Sequence, residues 1–323
     1  MQSVGIIGLG SIGRRHARLL ASLVAGVRIH AYRTRKGALL EAPPGVVDED
    51  REAFFSSRFD LVIIANPSAL HLQTLREVVD ARLAPTILVE KPFCLPDEVA
   101  EATALVARSG SSILPGNCLR FHPAIALLKA TLESGDLGNV VECHAHFGTY
   151  MPGWHPYEDY RATYAARRDL GGGVLMTSIH ELDLVHHLFG DGRVVAAYVG
   201  RLALPDIDVE DSAHLLLSLS RCRLANISLN FFERPADRFL KVIFERGVWS
   251  WRFGEAAVAH VRWNDGSPVH ATEAVDPGVD AMYVNMWRAV LAGQRRDFEL
   301  ASVFASLRTA EAARRIGEAD VWT

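Results

Sequence analysis

The chain opens on a glycine-rich stretch, SVGIIGLGSIG, at residues 3–13. Its apolar first half is typical of a parallel strand covered on both faces, and residues 14–23 have the pattern of a helix. Gly8 permits a tight bend, Gly10 lets the backbone approach a pyrophosphate, and Gly13 lets helix and strand pack closely. A turn with a purely structural role is the alternative, but the strand–turn–helix context favours a dinucleotide site. The predicted cofactor contacts are Gly8, Gly10, Ser11, Ile12 and Gly13.

Strand and helix patterns alternate through the first third of the chain. Short apolar runs predict further strands at 27–32, 60–65, 85–89 and 112–114, and helical stretches fall between them at 70–82 and 96–109. This alternation is typical of a parallel, doubly wound α/β sheet, that is, a Rossmann domain.

The pattern changes after Gly138, where apolar and polar residues begin to alternate. Such alternation indicates half-buried strands, and short connections favour an antiparallel sheet. Because 323 residues exceed the size of one core, we expect a Rossmann domain at 1–121. We expect an α+β substrate-binding and oligomerisation domain with a large, mostly antiparallel open sheet at 122–323. Its predicted strands are 141–147, 194–200, 214–219, 224–229, 240–244 and 248–253, and its helices include 282–291 and 300–316.

The end of the second predicted strand bears on the choice of cofactor. In NAD-binding domains this strand usually ends in an acidic residue that binds the ribose hydroxyls. Here the stretch contains Arg33, Thr34 and Arg35 and no carboxylate. Guanidinium groups bind a 2′-phosphate in a charge-assisted, bidentate way. The sequence therefore favours NADP over NAD, although a solvated basic loop is the alternative.

Composition excludes several function classes. The net charge of −4 gives no reason to expect nucleic acid or an anionic membrane as a partner. No apolar run approaches the roughly 20 residues of a membrane helix, and no signal peptide is expected. The four cysteines are widely spaced, which is typical of reduced thiols in a cytoplasmic protein.

Thirteen histidines raise the question of a metal site. His144 and His146 share a strand face, and His180 and His187 share a helix face. Positions seven apart on a helix are separated by about 10 Å along its axis, too far for one ion without other elements. The sequence contains neither HExxH nor a cysteine pair, so no catalytic metal is expected.

Four further stretches carry a family resemblance. They are Val89-Glu90-Lys91-Pro92, Asn66-Pro67-Ser68-Ala69-Leu70-His71, Gly116-Asn117-Cys118-Leu119-Arg120-Phe121-His122-Pro123, and Leu170-Gly171-Gly172-Gly173 leading to His180-Glu181-Leu182-Asp183. Following a glycine turn in this order, they resemble the Gfo/Idh/MocA family of sugar and polyol dehydrogenases and reductases. The resemblance implies cofactor contacts from Asn66, Pro67, His71, Glu90, Lys91 and Asn117. It also implies a homodimer or homotetramer formed through the C-terminal sheet.

Two residues are the candidate catalytic groups. Lys91 follows a parallel strand, where open α/β sheets place their ligands, and its ammonium can stabilise alkoxide character on a substrate oxygen. A solvated surface lysine is the alternative, and the resemblance favours the catalytic role of Lys91. His180 lies on a predicted helix after Gly173, and its ordinary pKa suits proton exchange near neutral pH. We expect both to act on the same oxygen, with Asp183 orienting His180 or holding a neighbouring hydroxyl. A histidine with a structural role at a domain contact is the alternative.

One departure from the family pattern limits the choice of substrate. An aspartate often precedes this histidine by one helical turn, whereas this chain has Met176 and Thr177 there. Thr177 can exchange hydrogen bonds but carries no negative charge. A two-residue site is therefore expected, and the substrate of inositol dehydrogenases does not transfer directly.

Residues 150–161 form a candidate substrate loop. The segment is rich in aromatic and charged groups and precedes the predicted active-site helix. An ordered surface loop or dimer contact is the alternative. The expected substrate-binding residues are Arg120, Trp154, His155, Tyr160, Thr177 and Asp183.

The sequence therefore predicts an NAD(P)-dependent oxidoreductase acting on a sugar, a polyol or a nucleotide-linked sugar. Two alternatives stay open. One is a glycosidase that retains its cofactor, although the distinctive histidine-rich glycine loop is not found. The other is a catalytically silent NAD(P)-binding sensor or assembly protein.

Overall fold

The computed structural model describes residues 1–34, 41–154, 159–264 and 266–317. The chain divides into two compact units, one of Met1–Asn117 with Trp287–Leu300 and one of Cys118–Met286 with Ala301–Thr323. The expected boundary after residue 121 lies close to this division. The membership of Trp287–Leu300 in the first unit was not foreseen, because the contacts of that segment are remote in sequence.

The first unit contains a six-stranded sheet in the order β3-β2-β1-β4-β5-β6, with every neighbouring pair parallel. This is the order of a doubly wound dinucleotide-binding sheet, so the predicted α/β fold class is confirmed. Strand β3 was not predicted, because its sequence Val-Val-Asp-Glu is short and only half apolar. The strands are β1 Ser3–Ile7, β2 Arg28–Tyr32, β3 Val46–Glu49, β4 Leu61–Ile64, β5 Thr86–Val89 and β6 Ser112–Pro115.

Helices follow four of these strands. All four residues of β4 are buried, as expected for a strand covered on both faces. The side chain of Asp50 caps the second helix by accepting a hydrogen bond from the Ala53 amide. The helices are α1 Ser11–Leu23, α2 Arg51–Ser56, α3 His71–Asp80 and α4 Val99–Arg108.

The second unit is built on an eight-stranded sheet in the order β14-β13-β12-β11-β7-β10-β9-β8. Only the pair β7–β10 is parallel, so the predicted large, mostly antiparallel sheet is confirmed. Strands β13 and β14 were not predicted. The strands are β7 Val140–Tyr150, β8 Gly192–Gly200, β9 Ser212–Leu219, β10 Cys222–Asn230, β11 Phe232–Phe244, β12 Gly247–Arg252, β13 Ala257–Asn264 and β14 Ser267–Ala274.

The remaining helices are α5 Pro123–Ser134, α6 Val174–Thr177, α7 Ile179–Phe189, α8 Val279–Leu291 and α9 Leu300–Gly317. The single helix expected after Gly173 is thus two helices, which are separated at Ser178. No helix among the described residues is long and apolar enough to cross a membrane. All four cysteines are buried, and none of them forms a disulfide among the described residues.

His122 is a buried histidine that makes folding sensitive to acid. Its Nδ1 accepts a hydrogen bond from the Ala124 amide, and its ring lies 4.5 Å from that of Trp251. Burial lowers the pKa of His122 from 6.5 to about 4. Between pH 6.5 and pH 4, His122 is protonated in the unfolded chain and neutral in the folded chain. The free energy of unfolding therefore decreases as the pH falls from 6.5 towards 4.

We expect His122→Asn to reduce this acid sensitivity, because asparagine keeps a capping oxygen and does not titrate. Between pH 7 and pH 5, the loss of unfolding free energy should be smaller in the variant by about 2 kcal/mol. Urea unfolding at both pH values measures the difference. An unchanged pH dependence would assign the acid sensitivity to other groups.

Candidate functional site

The glycine turn between β1 and α1 leaves no room for side chains at two positions. Gly8 has φ +98°, and a Cβ on it would lie 2.5 Å from the Ala65 carbonyl oxygen. A Cβ on Gly13 would lie 2.1 Å from the Gly8 carbonyl oxygen. The Gly8 amide donates to the Tyr32 carbonyl at 2.9 Å, which fixes the turn beside the end of β2. Both glycines are therefore required by close backbone packing.

Gly10 has the opposite surroundings. A Cβ at this position would meet no described atom within 4 Å, so one face of the turn is open. Helix α1 begins at Ser11, and a glycine before it offers no side-chain oxygen to cap the first amides. The amides of Ser11, Ile12 and Gly13 therefore favour an anionic group over this turn. These residues fit the pyrophosphate of a dinucleotide.

A cavity of about 580 Å³ lies at the end of β2. It is lined by Tyr32, Arg33 and Thr34 and by residues 48–51 at the end of β3 and the start of α2. Arg33 donates to one carboxylate oxygen of Asp48 through Nε at 3.0 Å and Nη2 at 2.7 Å. Arg35, the other arginine of the predicted phosphate site, lies outside the described residues.

Asp48 is a residue that sequence reasoning missed. The sequence shows no carboxylate directly after β2, but β3 pairs with β2 and places Asp48 beside Ala31. The sequence feature that could have indicated Asp48 is the run Val-Val-Asp-Glu, which is only a weak predictor of a strand. The end of β2 therefore presents both a guanidinium and a carboxylate.

His71 joins two loops at the carboxyl ends of β4 and β5. Its Nδ1 lies 2.7 Å from the Pro92 carbonyl oxygen and its Nε2 lies 2.9 Å from that of Asn66. Burial lowers the pKa of His71 below its ordinary value. His71 is 1% exposed, and its ring lies between the Asn66 loop and the turn at Pro92. A neutral imidazole has one N–H, so it donates to one of the two carbonyls. The exposed Pro67 follows Asn66 in that loop.

A chain of buried hydrogen bonds fixes the turn that carries Lys91. The indole Nε1 of Trp287 donates to His16 Nδ1 at 3.2 Å, and His16 Nε2 lies 2.8 Å from Glu90 Oε1. Because the indole can only donate, neutral His16 carries its hydrogen on Nε2 and donates it to Glu90. Glu90 Oε2 accepts the Lys91 amide at 3.1 Å. Glu90 therefore positions the backbone of Lys91, and sequence analysis missed His16 and Trp287 because they are 271 residues apart.

Asn117 lies beyond the end of β6 and carries an unsatisfied acceptor. The residue is 2% exposed, and its Oδ1 has no hydrogen-bond partner among the described residues. Next to it, a Cβ on Gly116 would lie 3.0 Å from the Cα of Glu90. A buried amide oxygen without a donor suits a ligand hydroxyl or amide. The first unit thus brings the glycine turn, Asn66, Lys91 and Asn117 to the carboxyl ends of its strands.

His180 lies in the first turn of α7 in the second unit. The residue is 8% exposed, and its Nδ1 is buried. The preceding turn is fixed at Gly173, which has φ +99° and where a Cβ would lie 2.3 Å from a carboxylate oxygen of Glu210. Glu210 also pairs with Arg314 at 3.0 Å. The Glu210 carboxylate therefore occupies the space beside Gly173, next to the first residue of α6.

Arg120 and Asp183 form a buried ion pair. Arg120 donates to the Asp183 carboxylate through Nε at 2.8 Å and Nη2 at 2.5 Å, and Nη2 also donates to Ser302 at 2.8 Å. Both residues are 1% exposed. Substrate binding by these two residues stays a prediction. In the structure they bind each other, and with Ser302 they join the turn at Arg120 to α7 and α9.

The other expected substrate residues are placed separately in the second unit. Thr177 is 7% exposed at the end of α6. Trp154 is half-buried and donates from Nε1 to Thr149 at 2.9 Å. Tyr160 is half-buried at the start of a short 3₁₀ turn. His155 lies outside the described residues.

Comparison with known proteins identifies both halves of the chain. A model described as "Oxidoreductase family, NAD-binding Rossmann fold" matches residues 2–113. A model described as "GFO/IDH/MocA C-terminal domain" matches residues 125–250. Together the two models cover most of the chain.

Individual relatives are more distant. The uncharacterized oxidoreductase YrbE of Bacillus subtilis is 28% identical over 207 residues, which are 62% of this chain and 57% of that protein. An inositol 2-dehydrogenase of Acidothermus cellulolyticus is 27% identical over 242 residues, or 70% of this chain and 65% of the relative. The chain thus matches less than two thirds of the length of either relative.

The fold also matches solved structures. A levoglucosan dehydrogenase in complex with NADH superposes with a TM-score of 0.79 at 15% identity, covering 98% of each chain. This likeness concerns the fold, while the two family models carry the assignment. The chain belongs to the GFO/IDH/MocA family of oxidoreductases, whose N-terminal domain is an NAD-binding Rossmann fold.

Proposed function

We propose that this protein is a nicotinamide-dependent oxidoreductase that acts on a hydroxyl or carbonyl of a sugar, a polyol or a nucleotide-linked sugar. The observation that carries the proposal is the buried hydrogen-bond chain that ends at Lys91, in the same unit as the open glycine turn. Redox chemistry is supplied by the bound dinucleotide, to which the substrate carbon passes a hydride or from which it receives one.

The cofactor contacts follow from the residues at the strand ends. The amides of Ser11, Ile12 and Gly13 would hold the pyrophosphate, and the Asn66–Pro67 loop and Asn117 would hold the nicotinamide half. His71 and Glu90 position the neighbouring loops and do not bind the cofactor directly. His71 lies between the carbonyl groups of Pro92 and Asn66. Glu90 accepts hydrogen bonds from His16 and from the Lys91 amide.

Lys91 and His180 carry the chemistry in this proposal. The Lys91 ammonium donates a hydrogen bond to the reacting oxygen and stabilises its alkoxide character. His180 supplies the acid/base group that exchanges the substrate proton. Thr177 donates or accepts a hydrogen bond to the substrate without adding charge.

Absorbance of the reduced nicotinamide, followed while a panel of sugars and polyols is offered with NAD and NADP, tests the function. Cofactor reduction with a member of the panel supports a dehydrogenase. Tight cofactor binding without turnover across the panel, in both directions, would favour a silent sensor. Sedimentation of the same sample tests our further proposal of a homodimer or homotetramer formed through the eight-stranded sheet.

Arg33 is expected to select NADP, because it lines the cavity at the end of β2. Arg33→Ala should weaken NADP binding by roughly 10- to 100-fold and NAD binding much less, because a charge-assisted hydrogen bond is lost. Asp48→Asn should strengthen NADP binding, because it removes a negative charge from the same cavity. Fluorescence titration of the unmodified protein and the two variants with both reduced cofactors measures the six dissociation constants.

The matched control is Arg58→Ala, which removes an exposed arginine that does not line this cavity. It should leave both affinities unchanged. Equal losses of NAD and NADP affinity in Arg33→Ala would contradict the choice of NADP.

A further inference from the structure

A histidine and two carboxylates meet where β11 departs from regular pairing with β7. Strand β11 advances from Phe232 to Asp237 while β7 advances only from Tyr150 to Gly148. The extra residues of β11 bulge, and the bulge brings Glu233 back over β7. His146 lies on the same strand and is only slightly exposed, with 13% of its side chain accessible.

The contacts in this cluster are specific. His146 Nε2 lies 2.9 Å from Glu233 Oε2, and one donor atom each from His146, Glu233 and Asp237 lie within 4.8 Å of one another. A Cβ on Gly148 would lie 1.8 Å from Glu233 Oε2, so the Glu233 carboxylate occupies the space that this glycine leaves open. The carboxylate therefore lies directly over the backbone of β7.

Neighbouring side chains hold each of the three groups. Asn230 Nδ2 donates to Glu233 Oε2 at 2.7 Å, and Arg252 forms an ion pair with Asp237. The ring of Phe239 stacks on His146 at 5.1 Å with an interplanar angle of 25°. Such supporting contacts orient the ligands of metal sites and restrict their rotamers.

We propose that His146, Glu233 and Asp237 bind one divalent transition-metal ion of the Zn²⁺ class through Nε2 and two carboxylate oxygens. Imidazole with carboxylates is a donor set of zinc, cobalt and manganese sites. Metal–ligand bonds of 2.0–2.2 Å place donor atoms roughly 3.4 Å apart, so the three side chains need only small rotations. The ion replaces the hydrogen that joins His146 to Glu233.

The ion has a structural rather than a catalytic role. Strand alternation places His146 on the opposite face of the sheet from buried Cys143 and Ala145. His146 belongs to β7, whereas Glu233 and Asp237 belong to the bulged part of β11. The ion therefore links the bulge to the neighbouring strand of the sheet. Metal binding should therefore raise the melting temperature of the protein and leave catalytic constants unchanged.

The test uses the full chain without a histidine tag, stripped with a chelator and titrated with Co²⁺ and Zn²⁺. We expect one equivalent of Co²⁺ to bind with a d–d absorption band, and Zn²⁺ to displace it. His146→Gln, Glu233→Gln and Asp237→Asn should each weaken Co²⁺ binding by roughly 100-fold. Thermal melts without metal establish that each variant is folded, and anomalous scattering at the zinc edge locates the ion in crystals.

His144→Gln is the matched control. His144 lies on the same face of β7 and pairs with Glu142 at 3.3 Å, but it belongs to no three-residue cluster among the described residues. Its variant should bind Co²⁺ like the unmodified protein. The proposal is overturned if no stoichiometric binding occurs, or if His144→Gln weakens binding as much as His146→Gln does.

Discussion

Replacing Lys91 with methionine is expected to lower kcat by roughly 100- to 1000-fold, because the donor that stabilises the reacting oxygen is lost. Methionine is unbranched and of similar length, so it keeps the packing of the aliphatic stem. The backbone amide at this position still donates to Glu90, which preserves the turn. Cofactor affinity should therefore change little. Single-turnover rates and fluorescence titration with reduced cofactor measure the two quantities separately.

Lys241→Met serves as the control for this substitution. Lys241 is exposed on β11 in the second unit, and its replacement should alter neither constant. Turnover that survives in Lys91→Met would remove Lys91 from the mechanism. A parallel loss of cofactor affinity would instead assign Lys91 to binding of the dinucleotide.

The clearest strand predictions came from continuous apolar runs in the sequence. Strand β4 has four buried residues and reads as a continuous apolar run. Strand β14, in contrast, has eight exposed residues and therefore no alternation that a sequence can display. Periodicity reports burial, so strands that bury little side-chain surface leave little signal.

The candidate site was predictable wherever its chemistry is local. The glycine turn and the Glu90–Lys91–Pro92 turn each function within a few residues, and both were identified from their order along the chain. The link from Trp287 to His16 and the register that puts Asp48 beside β2 depend on tertiary contacts. A single sequence does not reveal such pairs, because the type and position of one residue do not indicate which distant residue it contacts.

The pairing of Arg120 with Asp183 shows the same limit and leads to a large expected effect. Asp183→Ala should lower the unfolding free energy by about 3–5 kcal/mol, because it leaves the Arg120 guanidinium buried without its carboxylate. Ser302 would remain as a neutral partner at 2.8 Å and cannot compensate the charge. Urea unfolding at pH 7 measures the loss.

The double variant Arg120→Met/Asp183→Leu separates a structural role from substrate binding. Because it removes both charges and fills the space with apolar groups, it should recover most of the stability that Asp183→Ala loses. If the pair is structural, the folded double variant should retain substrate affinity. If Asp183 instead binds substrate, Asp183→Ala should fold normally and raise KM, and the double variant should share that defect. The buried, bidentate geometry favours the first outcome, since both Asp183 oxygens are already committed to Arg120.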